Sequence, residues 1–126
     1  MMAIVIGETF SCSVSTTSAH TAHAFGNDGV HLIGTPALIG FLETASNGCI
    51  KDAYDEGEAS VGTSVNVRHR AAAPKGATID ASARVTAVQG QRVEFAVSAR
   101  WNGILLMEGT HTRTIVVLPS FLKKFA

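Results

Sequence analysis

Residues 35–54 read TPALIGFLETASNGCIKDAY. A threonine can accept hydrogen bonds from the free amides of a helix start, and proline suits the first helical position. Thr35-Pro36 therefore predicts where a helix begins. At about 100° per residue, Leu38, Ile39, Leu42, Ala45, Ser46, Cys49 and Ile50 fall on one arc of roughly 140°. A stripe that wide needs an equally wide apolar partner. Helix is predicted to about Tyr54, and Asp55-Glu56-Gly57 ends it.

The residues on either side supply that partner. Upstream, Glu8 to Ser15 alternates with Phe10, Cys12 and Val14 on one side, which predicts a first strand. Residues 16–33, rich in Ser, Thr, His, Gly and Asn, read as a loop with one helical turn near Ser18 to Phe25. Downstream, Ser60 to Arg70 alternates with Val61, Thr63, Val65, Val67 and His69 on one face. After the break at residues 71–76, alternation runs from Ala77 to Val88 and from Arg92 to Trp101, with Gln89-Gly90 as the turn between them. Asn102-Gly103 is a strong two-residue hairpin signal, and Ile104 to Leu118 is the last strand. These strands run about 10 residues, against a usual 5–6. Ala81, Ala83, Ala87, Ala96 and Ala99 would let a helix lie close.

One helix and a meander of long strands predict an α+β architecture. This is the hot-dog fold, a long antiparallel β-sheet curled around one central α-helix, in a single domain spanning residues 1–126. A lone sheet around one helix leaves an edge unpaired, so a homodimer is expected, with pairing into a tetramer left open.

Composition narrows the function. Apolar residues make up 46% and charged residues 16%, and ten basic side chains balance ten acidic ones. No basic footprint for nucleic acid is present. Cys12 and Cys49 form no CxxC pair and are expected to be reduced thiols of a cytoplasmic protein. MMAIVIG lacks the basic start of a signal peptide, and no apolar run approaches the ~18 residues of a membrane helix, so no membrane partner is expected. His20 and His23 form an HxxH without an evident third ligand, so no metal is expected. His31 receives no role, His111 in the last strand could line a cleft but is left unassigned, and Lys123 and Lys124 read as a solvated tail.

Three residues could carry chemistry. Glu43 sits at the margin of the apolar arc, where partial desolvation would suit a base or nucleophile; a carboxylate reaching solvent is the plainer alternative. His69 shares a strand face with valines, as a proton carrier or as a satisfied core histidine. Thr35 is either only a cap or a donor where helix amides gather positive potential. Arg68, Arg70, Lys75 and Arg113 could hold phosphates or could be solvated strand-end charges.

The stretch Gly34-Thr35-Pro36-Ala37-Leu38-Ile39-Gly40-Phe41-Leu42-Glu43-Thr44-Ala45 resembles the helix start of the fluoroacetyl-CoA thioesterase family. So does the strand from Gly57 through Gly62-Thr63, Val67-Arg68-His69 and Pro74-Lys75-Gly76. Val88 to Phe95 and Glu108-Gly109-Thr110-His111-Thr112-Arg113 continue the likeness, which spans about Gly34 to Val117. The resemblance implies an acyl-CoA thioesterase acting on a small acyl-CoA, with Thr35, Glu43 and His69 as the catalytic constellation. It implies Gly62 and Arg113 as substrate-binding residues, Gly62 lying at the thioester where only a residue without a side chain leaves room. No cofactor is implied, since CoA is part of the substrate. Residues before Gly34 depart from the family pattern, in a region that in the family helps cover the pocket. A hydratase or dehydratase of the same fold is one alternative, but Asp28 and His31 lie too close together for its usual pattern. An acyl-CoA-binding protein without turnover is the other; the presence of all three reactive residues weighs against it.

Overall fold

The computed structural model describes residues 3–126. Five strands form one antiparallel sheet: β1 (Thr9–Ser15), β2 (Glu58–His69), β3 (Thr78–Gln89), β4 (Arg92–Trp101) and β5 (Ile104–Val117), in the order β1-β3-β4-β5-β2. Helix α1 (Thr35–Ile50) packs on the inner face, chiefly against β3, β1 and β4. This is the hot-dog arrangement. Leu38, Leu42, Ala45 and Ile50 of the helix are sealed against Ile79, Ala81, Ala83, Val85, Val93, Phe95 and Ala99 of the sheet. Burial of each large apolar side chain contributes about 1.5–3 kcal/mol. Small residues allow the close approach: a Cβ on Gly48 would fall 2.5 Å from the Phe10 ring, which lies against the helix there. Among the described residues, no helix is long and apolar enough to cross a membrane.

Several local expectations shift. Gly34, not Thr35, occupies the cap position, with extended backbone and no side-chain cap bond. Thr35 is the first helical residue, and its hydroxyl contacts His69 rather than capping the helix. The helix ends at Ile50 and continues as a 3₁₀ turn, Lys51–Ala53. Residues 16–33 hold two such turns, Ser18–His20 and His23–Phe25, pinned by bridges Thr21↔Ile33 and Leu32↔Pro74. The Asn102-Gly103 hairpin is as expected, both residues having positive φ (49° and 76°), as a type I′ turn requires. The last strand ends at Val117 rather than Leu118, a short helix α2 (Leu118–Leu122) follows with Pro119 in its first turn, and Lys123 and Lys124 are exposed beyond it.

Strand β2 carries the most consequential change. Its register against β5 slips between Gly62 and Ser64, leaving Thr63 unpaired. Before this bulge the alternation is out of phase with the alternation after it. Ser60 and Gly62, rather than Val61, therefore share the inner face with Val65, Val67 and His69. Strand β2 also forms a sheet edge, and residues 62–66 are exposed.

Candidate active site

Two groups of polar side chains stand at the β2 side of α1. In the first, Thr35 Oγ1 lies 2.8 Å from His69 Nδ1, joining the first helical residue to the last residue of β2. Both are exposed in the single chain. In the second, Glu43 faces β2 two helical turns later, its side chain 43% exposed. The Arg113 guanidinium approaches it from β5, Nη1 donating to Glu43 Oε2 at 3.5 Å. Gly62 floors the gap. A Cβ there would meet Glu43 Oε2 at 3.2 Å and the His111 ring at 3.0 Å, so the bulge places a bare stretch of backbone where a side chain would displace the carboxylate.

Arg113 is 7% exposed, so it is not a solvated strand-end charge. Its Nε donates to Ser60 Oγ at 2.7 Å and its Nη2 to Ser60 O at 2.9 Å. Tyr54 Oη, 2.6 Å from Asn47 Oδ1 and 2.5 Å from Ser60 Oγ, fixes Ser60 in turn. The result is an open groove of about 510 Å³ with Glu43, Asn47, Tyr54, Ser60 and Arg113 in its wall.

His111, unassigned from sequence, is 1% exposed beneath this groove. Its Nδ1 lies 2.9 Å from Ser64 O and its Nε2 3.3 Å from Arg113 Nη1. A carbonyl only accepts and a guanidinium only donates, so the ring is neutral, with the proton on Nδ1. Burial first, and Arg113 second, lower its pKa; the bond to Ser64 and the charge of Glu43 oppose them. The visible signal was its position two residues before Arg113, on one strand face with it. Below the ordinary histidine range of about 6.5 the unfolded chain takes up a proton that folded His111 refuses. Stability therefore falls as pH drops from about 7 toward 5. Urea unfolding at pH 5, 6 and 7 should show a shallower fall for His111→Asn, whose amide can still donate to Ser64 O. An unchanged pH slope would contradict this assignment.

The cysteines stand outside the chemistry. Both are free, and the Cys49 thiol is pushed up to about 11 by burial, then by Glu8, which leaves too little thiolate for a nucleophile. His20 packs edge-on against Phe41, and His23 pairs with the His31 ring and Asp28; no metal-binding cluster occurs among the described residues.

Eight residues of helix separate Thr35 from Glu43, a rise of about 12 Å. Among the described residues no hydrogen bond joins Glu43 to Thr35 or His69. The chain thus brings together Thr35 with His69, and Glu43 with Gly62 and Arg113, as two separate groups.

A match to the fluoroacetyl-CoA-specific thioesterase family covers residues 16–118. The chain belongs to this family. The fluoroacetyl-CoA thioesterase of Streptantibioticus cattleyicolor is 32% identical over 93 residues, covering 74% of this chain and 67% of the relative. A solved mutant of the fluoroacetyl-CoA-specific thioesterase superposes with a TM-score of 0.93 at 26% identity, covering 98% of this chain and 96% of that one. Another mutant, in complex with acetyl-CoA, superposes with a TM-score of 0.91 at 26% identity, covering 96% of each chain. Membership makes the chain a thioester hydrolase of the hot-dog fold, and the family match includes all of α1 and β2.

Proposed function

We propose that this thioesterase hydrolyses a small acyl-CoA to the free acid and CoA, using Thr35, Glu43 and His69, as a homodimer joined along β2. The observation that carries the reading is Glu43 held by Arg113 over the bare backbone of Gly62. A thioester carbonyl is already electrophilic, and its thiolate leaves readily. The enzyme has to supply a nucleophile and stabilise the oxyanion. Glu43 activates water, or attacks directly to give a mixed anhydride that water then opens; either route starts from this carboxylate. His69 delivers a proton to the departing sulfur. Thr35 Oγ and the amides at the α1 N-terminus steady the carbonyl oxygen. Gly62 leaves room for the acyl carbon, and Arg113 Nη1 borders the same space. The reaction needs no cofactor beyond the CoA of the substrate, and two free thiols fit a reducing cytoplasm.

The separation of the two groups supports a dimer. A two-fold pairing of β2 with its copy makes residue numbers opposite each other sum to a constant. Centred on Val65, it runs the Gly62 end of one copy toward His69 of the partner subunit. Glu43 of one copy then joins the partner's Thr35 and the partner's His69. Val65, 39% exposed in the single chain, lies at that centre.

Thiol release from acyl-CoAs of increasing chain length tests both parts. Wild type should cleave the short esters. Glu43→Gln and His69→Ala should each be nearly inactive alone, and mixing them after unfolding and refolding together should restore about a quarter of the wild-type rate, since half of the dimers carry one intact site of two. Absence of turnover across the panel would defeat the thioesterase proposal. Turnover without rescue would place each site within one subunit.

A further inference from the structure

The sheet face turned away from α1 has a feature that thioester chemistry does not use. Antiparallel partners share a face, so the register gives its layout directly. One row runs Ser11, Ser82, Ser98, Glu108 and Arg68 across all five strands. Arg84 stands two residues from Ser82 along β3, and Arg100 two residues from Ser98 along β4. Serines at the centre and arginines around them make a depression of about 610 Å³, bordered by Arg68, Arg70, Arg84 and Arg100. Four of the six arginines in a chain of zero net charge thus border one groove.

Little neutralises them. Arg70 Nε bonds Glu108 Oε2 at 2.5 Å. Arg100 Nη1 has only the Gly103 carbonyl at 3.5 Å. Arg68 and Arg84 have no acidic partner within salt-bridge distance among the described residues. Of the other carboxylates on this face, Asp80 stands opposite Arg100 in the register without a salt bridge and accepts from Ser13 Oγ at 2.6 Å, and Glu94 pairs with Arg92 at 3.8 Å. The groove has the size of a small-molecule site, too small to seat a protein domain. Guanidinium groups bind phosphate through paired N–H donors and stack on flat rings, and serine hydroxyls on the floor add donors.

We propose that this groove binds the phosphates of a nucleotide, carried either by the CoA tail of the substrate or by a free nucleoside diphosphate. Both sources present the same chemistry. Edge pairing through β2 extends the sheet and leaves this face open, so the site coexists with the proposed dimer.

Calorimetric titration with ADP and with adenosine tests it. ADP should bind wild-type protein and adenosine should not. Arg84→Gln/Arg100→Gln should weaken ADP about tenfold or more, and raising salt from about 0.05 to 0.3 M should weaken wild-type binding too. Both arginines are exposed, so the double variant should keep its melting temperature. The source is read from the ratio of KM for an acyl-CoA to KM for the matching acyl-pantetheine. A ratio that rises several-fold in the variant assigns the groove to the substrate's own tail. An unchanged ratio with ADP binding lost assigns it to a free nucleotide. No ADP binding to wild type, or equal binding by the variant, overturns the proposal. So does a tetramer that the double variant converts to a dimer, which would make the groove a contact between copies. ADP binding does not require turnover, so its failure is distinct from failure of the thioesterase proposal.

Discussion

Glu43→Gln should lower kcat for thioester hydrolysis by about 10³-fold while leaving the protein folded. Positioned bases contribute about 10²–10⁴ in rate, and a carboxylate nucleophile is no easier to replace. The amide keeps the shape of the carboxylate but can neither take a proton from water nor attack. The structural consequence is small because Arg113 retains both of its bonds to Ser60 at 2.7 and 2.9 Å. The lost pair with Glu43 is long, at 3.5 Å, and partly solvated, so its removal changes stability by less than about 1 kcal/mol. Circular dichroism and thermal melting should match wild type, and the loss should fall on kcat rather than on KM. A variant within fivefold of wild-type kcat would remove Glu43 from the chemistry and leave it as a surface partner of Arg113.

The fold was legible because its signals are periodic. A 140° apolar arc on α1 and period-two alternation on the strands each state which face is buried, and only a curled sheet around one helix satisfies both. The Asn102-Gly103 turn was legible from local backbone chemistry alone. What escaped depends on register between distant segments. No local pattern marks the slip at Thr63, yet that slip turns Ser60 and Gly62 inward and Val61 outward. His111 stayed without a role for a related reason. Only the pairing of Val65 with His111 and of Gly62 with Arg113 shows that histidine and arginine underlie Glu43 together. The arginine groove likewise appears only when strands β3, β4, β5 and β2 are laid side by side. Thr35 shows the limit of a cap rule: Gly34 satisfies the cap with extended backbone, and the hydroxyl is left for His69.

Gly109→Ala should melt far below wild type, and its loss of activity should come with that of the fold. Gly109 lies in β5 between Val97 of β4 and Val67 of β2. A Cβ there would fall 2.1 Å from Asn66 O and 2.7 Å from Val67 Cα. Both are backbone atoms, so no rotamer change relieves the clash. Relief requires moving β2 away from β5, which breaks the ladder holding the edge strand. Overpacking typically costs about 1–3 kcal/mol, and a clash with fixed backbone belongs at or beyond the upper end. A change of about 3 kcal/mol lowers Tm by about 10 °C in a domain of this size. The site fails with it because β2 carries both Gly62 and His69 and, in the proposed dimer, the contact with the partner. The two variants therefore separate chemistry from scaffold. Glu43→Gln abolishes turnover at constant Tm, whereas Gly109→Ala loses turnover in step with unfolding and regains part of it on cooling. A Gly109→Ala protein melting within about 2 °C of wild type would show that β2 can step aside, and would contradict the close β2–β5 approach.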